Sequence, residues 1–283
     1  MHYFPPEVIE SWPIPNYVDP STRGTSLIIV NGVFIGITLV AVGLRVYARV
    51  FVSHWFGVDD WCIVFALLLA IGMTVSVLLA NINYGWDRHV WDIRLENIAP
   101  SFQIAFATKI IFSLAAMFTR ISLLLFYYRL VKDSGLHRFR MVIHVFLGFS
   151  VAVGLALALL TVWQCKPIAA FWTFPIMPGS HCIDEGRITL GCGIVNTVAD
   201  LITAVLPIPM ILRLKMPLRR RIGVIFLLGM GFIVVIAGAV RSYFVWRSLI
   251  SSYDLTWYSY GLWISAAVEV DLGVICACAP AFR

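Results

Sequence analysis

Charged side chains are scarce in this sequence of 283 residues. Lys, Arg, Asp and Glu together make up 13% of the chain, and hydrophobic residues make up 60%. A soluble domain has about 25% charged residues, so the shortage excludes an ordinary soluble enzyme, a disordered chain and a coiled coil. Because the apolar residues form long runs without period-2 alternation, the pattern also argues against an outer-membrane β-barrel.

The long apolar runs predict membrane-spanning helices. A spanning helix needs about 20 mostly apolar residues, and the mean hydropathy of the chain is +0.90. The runs that reach this length are 26–46, 59–80, 102–128, 141–164, 187–212, 222–246 and 257–279. We therefore expect an all-α membrane protein, a seven-transmembrane-helix domain over 26–283 that follows a tail over 1–25.

The basic residues predict the orientation of this bundle. Loops on one side hold twelve Lys and Arg residues, and loops on the other side hold six. Because the more basic loops stay in the cytosol, we expect the N-terminus outside and the C-terminus in the cytosol, with no cleavable signal peptide. A net charge of +6 spread over these loops predicts a lipid bilayer as the partner and no nucleic acid. Plasma membrane and endomembrane fit this topology equally well.

Two cysteines flank a loop that this orientation places outside. Cys165 and Cys182 would face an oxidising compartment in a secretory-pathway membrane, which predicts a disulfide between them; the alternative is two unpaired thiols. His181 adjoins Cys182. Because no CxxC or HxxxH spacing supplies further ligands, we predict no metal site.

Six ionisable residues lie inside the predicted spans, where charge is costly and each such group is a functional hypothesis. They are Lys109, Arg120, Asp200, Arg241, Glu269 and Asp271. Three acids and three bases can form a full set of interhelical ion pairs. The alternative interpretation is a polar site that binds a ligand or carries out chemistry.

Helical spacing sorts these residues by face. Lys109 and Arg120 are eleven residues apart, close to three turns, and Asn196 and Asp200 are one turn apart, so each pair shares a face of its helix. Glu269 lies about 200° around the last helix from its neighbouring acid, and we expect it to face a cavity. Glu269 and Asp200 are therefore the candidate intramembrane acids, should the protein be an enzyme.

Two local features leave alternatives open. Pro207 and Pro209 predict either a kink in the fifth span, which would widen the bundle, or the end of that helix. The loop that contains Trp86, His89 and Trp91 has the composition of an interfacial aromatic belt, and a ligand site there is the second interpretation.

Several segments together resemble the fungal rhodopsin-like membrane protein family, with coverage from about residue 25 to the end. The matching stretches are GVDDWCIV, YGWDRHVWDI, SLLLFYYRL, CKPIAAFW, VADLITAVLPIPMILRLKMPLRRRIGVIFLLGMGF and VEVDLGVICACAPAFR. The resemblance implies either a component of mycotoxin-type secondary metabolism, as in the satratoxin-cluster membrane proteins, or a receptor-like protein that senses surface or lipid cues. A transporter is a third possibility.

The resemblance does not imply retinal or a coupled G protein. A retinal Schiff base needs a lysine in the last span, and 257–279 contains none, so we predict no cofactor. The last span also lacks the Asn-Pro-x-x-Tyr pattern of animal receptors, so a G protein is expected only under the receptor hypothesis. The other expected partner is an apolar small molecule.

Overall fold

The computed structural model describes residues 6–131, 137–173, 178–208 and 218–279, and these form a bundle of long helices. A short helix, α1, covers Pro6–Glu10. The longer helices are α2 (Ser26–Tyr47), which continues as a π-helical turn over Ala48–Val52, α3 (Val58–Tyr84), α4 (Leu95–Val131), α5 (His137–Val162), α6 (Glu185–Val205), α7 (Leu218–Leu249) and α8 (Leu255–Cys278).

Seven of these helices, α2 to α8, are long and apolar enough to cross a membrane. The predicted fold class is therefore confirmed. Their local ends follow from the sequence, as α3 shows. The Asp60 carboxylate accepts a hydrogen bond from the backbone N–H of Gly57 before the first turn, and Gly85 ends the helix in the left-handed region at a φ of 74°, where a side chain would be strained.

The helix bounds differ most from the predicted spans in two places. The fifth predicted span ran to 212, whereas α6 ends at Val205, two residues before Pro207. Pro209 lies outside the described residues, so a kink and a helix end both stay predictions. The third predicted span began at 102, whereas α4 begins at Leu95 and includes Pro100 within its first turns.

Helix α8 is the centre of the bundle. In its most apolar stretch of 18 residues, about 67% is buried inside the protein, against 22–50% for the other spanning helices. Helix α8 contacts α2, α3, α4 and α7. Large apolar side chains of the other helices, such as Ile29, Phe65 and Ile236, point away from the bundle. That outward face suits a lipid environment, because no internal surface covers it.

The two ends of the bundle differ in chemistry. At one end, Cys165–Lys166 and His181–Cys182 form a two-stranded antiparallel hairpin, β1 and β2, and Cys165 is bonded to Cys182. The predicted disulfide is thus confirmed, and we call this the disulfide end. The opposite end holds Arg45 and is called the arginine end. The N-terminal segment lies at the disulfide end and Cys278 at the arginine end; which end faces the cytosol stays a prediction.

At the arginine end, a fully buried Arg45 joins three helices. Its guanidinium donates to Asp60 and Asp59 over 2.8 Å each and also to the backbone oxygen of Ala277 in α8. Arg49 and Arg129 lie within 3.4–3.8 Å of the same two carboxylates. Asp60 therefore caps α3, and the two acids together neutralise arginines from α2 and α4.

We expect Arg45→Leu to lower the free energy of unfolding by about 3–5 kcal/mol, because it leaves two buried carboxylates with less compensation. Arg94→Leu is the matched control, because Arg94 and Glu96 form an exposed pair worth at most about 1 kcal/mol. Denaturant unfolding in mixed micelles measures both variants. Equal losses in the two would contradict a structural role for the Arg45 cluster.

The disulfide closes a loop with a sequence separation of 17, and that loop packs Phe171 against Phe106 of α4. We expect the Cys165→Ser/Cys182→Ser variant to lose about 2–4 kcal/mol of stability. A reductant should lower the melting temperature of the wild type and leave that of the double variant unchanged. Equal sensitivity of both proteins to the reductant would show that the reductant acts elsewhere than on this disulfide.

Candidate functional site

A cavity of about 110 Å³ lies in the half of the bundle nearer the disulfide end. One buried water needs about 10–15 Å³, so the cavity has room for a small organic molecule. It is bounded by residues from α3, α4, α5, α6, α7 and α8. Its apolar walls include Met73, Phe112, Leu157, Val245 and Leu262.

One polar wall of the cavity is an ion pair between α4 and α6. Lys109 Nζ donates directly to Glu185 Oε1, and Thr189 Oγ1 lies 3.3 Å from the same ammonium group. Glu185 is only 5% exposed, so an uncompensated carboxylate there would be costly. Lys109 also lies above the ring of Phe171 at 5.4 Å, which ties the wall to the disulfide loop.

Deeper in the bundle, Arg241 of α7 forms the floor of the cavity. Its Nε donates to Glu269 Oε2 of α8, and its Nη2 lies 3.3 Å from the backbone oxygen of Gly193. Arg241 and Glu269 are 5% and 3% exposed. Arg241 lines the larger cavity, whereas Glu269 lies behind it and lines a smaller one. The ion pair therefore separates the acid from the main cavity.

The same polar network continues toward the arginine end. Asn196 Nδ2 donates to Glu269 Oε1 over 3.3 Å, and Asn196 Oδ1 accepts from Arg120 Nη1 over 2.8 Å. Arg120 Nη1 also donates to Asp200 Oδ1 over 2.8 Å. Arg241, Glu269, Asn196, Arg120 and Asp200 thus form one chain of hydrogen bonds, which we call the central network. Its two cations and two anions balance.

Two water-sized cavities adjoin the central network. One, of about 20 Å³, is lined by Phe112, Asp200 and Glu269, and the other, of about 30 Å³, by Arg120 and Asp200. Each is large enough for one or two waters. Because Phe112 also lines the main cavity, the three spaces follow one another along the network.

The last intramembrane acid points elsewhere. Asp271 accepts a hydrogen bond from Thr38 Oγ1 of α2 over 3.1 Å, on the side of α8 away from Arg241. No ion pair to Asp271 occurs among the described residues. Because Glu269 and Asp271 are two residues apart in α8, they contact different neighbouring helices.

Only part of the aromatic loop after α3 lines the cavity. Trp86 is 4% exposed, packs edge-on against Trp263 with ring centroids 5.2 Å apart, and lines the cavity. His89 is instead stacked between Trp91 and Trp257 at centroid distances of 4.6 and 4.0 Å. These two aromatic contacts hold the loop in place and lie apart from the cavity lining.

The N-terminal segment ties down this loop. Arg23 N donates to Asp87 O over 2.9 Å, Asn16 N donates to Asp92 Oδ1 over 2.9 Å, and Arg23 stacks on Trp257. At the start of α8, Asp254 binds the His89 ring and accepts from the backbone N–H of Val90. The segment and loop together cover the disulfide end of α8.

Sequence reasoning missed several residues of this site. Glu185, the partner of Lys109, was placed outside the fifth predicted span, which began at 187. Gln164, Thr189 and Thr38 were not singled out because neutral polar residues are common in helices. The one available signal was the need of Lys109 for a counter-charge. The three acids inside the predicted spans could have supplied it, so no further acid was sought.

Within the described part of the chain, no three His, Cys, Asp or Glu residues come close enough together to hold a metal ion. The acids and bases of the site instead pair with each other. The main cavity is thus large enough for a small molecule, and the central network connects its floor to α4 and α6.

Comparison with known proteins gives three informative relatives. The chain is 27% identical over 280 residues to the polyenoic acids biosynthesis gene cluster protein Ba17b of Metarhizium anisopliae, covering 93% of this chain and 74% of that protein. It is 26% identical to the fugralins biosynthesis cluster protein 2 of Gibberella zeae, with coverages of 72% and 52%. It is also 26% identical to Receptor GIN3 of Arthrobotrys oligospora, with coverages of 89% and 60%.

The chain thus spans between about half and three quarters of the length of these relatives. The model of the fungal rhodopsin domain matches residues 44–283, from the arginine end of α2 through all the later helices. The chain with the cavity and the central network is therefore a member of the fungal rhodopsin domain family.

Proposed function

We propose that this protein binds an apolar small molecule in its main cavity and acts as an accessory component of secondary-metabolite biosynthesis. The observation that carries the proposal is the cavity itself, about 110 Å³ of space among largely apolar walls. Ligand sites in proteins are typically concave and mostly apolar, with a few polar groups that orient the ligand. The cavity between α4 and α8 has that composition.

The names of two relatives support the biosynthetic setting. Both the Metarhizium and the Gibberella proteins are named after biosynthesis clusters. The largely apolar lining of the cavity suits an intermediate that partitions into lipid. Holding or transferring such an intermediate requires binding alone and no catalytic group.

The cyclase-like version of the proposal, with Glu269 or Asp200 as an acid, is the weaker one. Both carboxylates accept hydrogen bonds from arginines, Glu269 from Arg241 and Asp200 from Arg120. Each carboxylate is already the counter-charge of a buried arginine, so its loss would leave that arginine unpaired. The pairing favours a structural part for both acids.

A receptor is the second candidate function. One relative is named a receptor, and the central network runs from the floor of the main cavity toward the arginine end. A ligand that displaced Arg241 would disturb Glu269, and through Asn196 it would reach Arg120. A transporter has no comparable support.

Filling the cavity tests the proposed function. Ala105 is buried and lines the cavity, so Ala105→Phe should exclude the ligand. A deletion strain of the source organism that carries this allele should lose one metabolite and accumulate its precursor, and the deletion without any allele should do the same. Ala152→Phe, on an exposed face of α5, is the matched control and should restore the wild-type profile.

Immunoblots of membrane fractions confirm equal amounts of both variants. An unchanged metabolite profile in the deletion strain would contradict the biosynthetic role. A normal profile with a lost response to surface or lipid cues would transfer support to the receptor function.

A double variant that removes both charges of the Arg241–Glu269 pair distinguishes ligand binding from acid chemistry. Glu269→Gln alone leaves Arg241 buried without its counter-charge and should destabilise the protein by about 3–5 kcal/mol. The double variant Arg241→Met/Glu269→Gln removes both charges, so it should recover most of that stability and restore the metabolite. Stable protein without the metabolite would instead show that Arg241 or Glu269 is needed for more than stability.

A further inference from the structure

Three side chains that line the main cavity each have a hydrogen-bond donor without a partner among the described residues. The donors are Trp86 Nε1, Trp263 Nε1 and Gln164 Nε2. All three residues line the main cavity, and they are 4%, 8% and 2% exposed. Three unpaired donors around one cavity are unusual, since nearly all buried polar groups in proteins have a partner.

The donors come from separate parts of the chain. Trp86 follows the glycine that ends α3, Trp263 belongs to α8, and Gln164 lies just before the disulfide loop. The two indoles are in contact, with ring centroids 5.2 Å apart. The fold therefore places three side chains with unpaired donors around one cavity, and leaving a buried donor unpaired is unfavourable.

The chemistry of these donors restricts what can satisfy them. An indole N–H only donates and never accepts a hydrogen bond, and the amide nitrogen of Gln likewise donates. Their partner must present an acceptor atom, such as a carbonyl, ester or ether oxygen. A pure hydrocarbon would leave all three donors unpaired.

The charges of the wall argue against a charged ligand. Lys109 is paired with Glu185, and Arg241 with Glu269. These pairs balance the charges around the cavity. An amine would find each carboxylate already bound by a base, and a carboxylate ligand would have to compete with Glu185 or Glu269 for its cation.

We propose that the cavity recognises a neutral, largely apolar molecule through a carbonyl oxygen, with the two indoles and the Gln164 amide as the donors. This inference rests on the proposed function, because it names the ligand class of the same cavity. It makes Trp86, Trp263 and Gln164 specificity-determining residues.

Indole NMR tests the proposal on the full-length protein in lipid nanodiscs. Protein labelled with ¹⁵N in its tryptophans is titrated with 2-decanone, decane and decylamine. The signals of Trp86 and Trp263 are assigned by their loss in Trp86→Phe and Trp263→Phe. The indole of Trp246, which is 42% exposed on α7, reports partition of each probe into the lipid.

We expect 2-decanone to shift the Trp86 and Trp263 N–H signals downfield, as hydrogen bonding does, and to leave Trp246 at its lipid value. Decane should produce no downfield shift. Trp263→Phe and Gln164→Leu should each weaken 2-decanone binding about tenfold, and Trp246→Phe should leave it unchanged.

Stability supplies the second readout. Because Gln164→Leu removes a donor that has no partner, the variant should melt at or above the wild-type temperature when no probe is present. A clear loss of stability would show that Gln164 has a structural hydrogen bond and would overturn its assignment.

The outcomes separate the two proposals. Binding of 2-decanone, decane and decylamine with equal affinity, blocked by Ala105→Phe, would keep the cavity as a binding site and overturn the carbonyl assignment. Preference for decylamine would overturn it as well. No change at Trp86 or Trp263 with any probe, in wild type and Ala105→Phe alike, would count against both proposals.

Discussion

The pairing of buried charges is the constraint on which this bundle depends. In an apolar environment an unpaired charge is costly, so each arginine inside the protein fixes the position of the helix that supplies its carboxylate. Arg45 joins α2 to α3, Arg120 joins α4 to α6, and Arg241 joins α7 to α8. Apolar contacts alone would allow a helix to rotate or slide, because lipid and protein interiors are similarly apolar. The ion pairs select one register.

Two ion pairs between neighbouring helices border the main cavity. Lys109–Glu185 holds α4 beside α6 near the disulfide end, and Arg241–Glu269 holds α7 beside α8 deeper in the bundle. Small side chains such as Ala105 and Gly193 line the space between them. The polar groups thus shape the cavity while their own charges are already satisfied, and the donors left over are neutral. Binding in this site is a matter of shape and hydrogen bonding.

Much of the fold could be predicted from the sequence, and less of the site. Long apolar runs determine where helices cross a membrane, and the eleven-residue spacing of Lys109 and Arg120 correctly indicates that both face one neighbour, α6. The partner of Lys109 could not be identified, because Glu185 lies at the first turn of α6, beyond the apolar run. Trp86 resembled an interfacial residue because it lies in a loop with other aromatic residues. Its burial depends on the left-handed Gly85, which turns the chain back over α3.

The position of Arg45 has a consequence for biogenesis. Its two carboxylates follow it by only 14 and 15 residues in the chain, on the helix that is synthesised next. Helix α2 on its own would bring an uncompensated guanidinium into the membrane, whereas α2 and α3 together form a neutral hairpin. We therefore expect α2 and α3 to insert as a pair, so that the charge of Arg45 is compensated before the later helices are added.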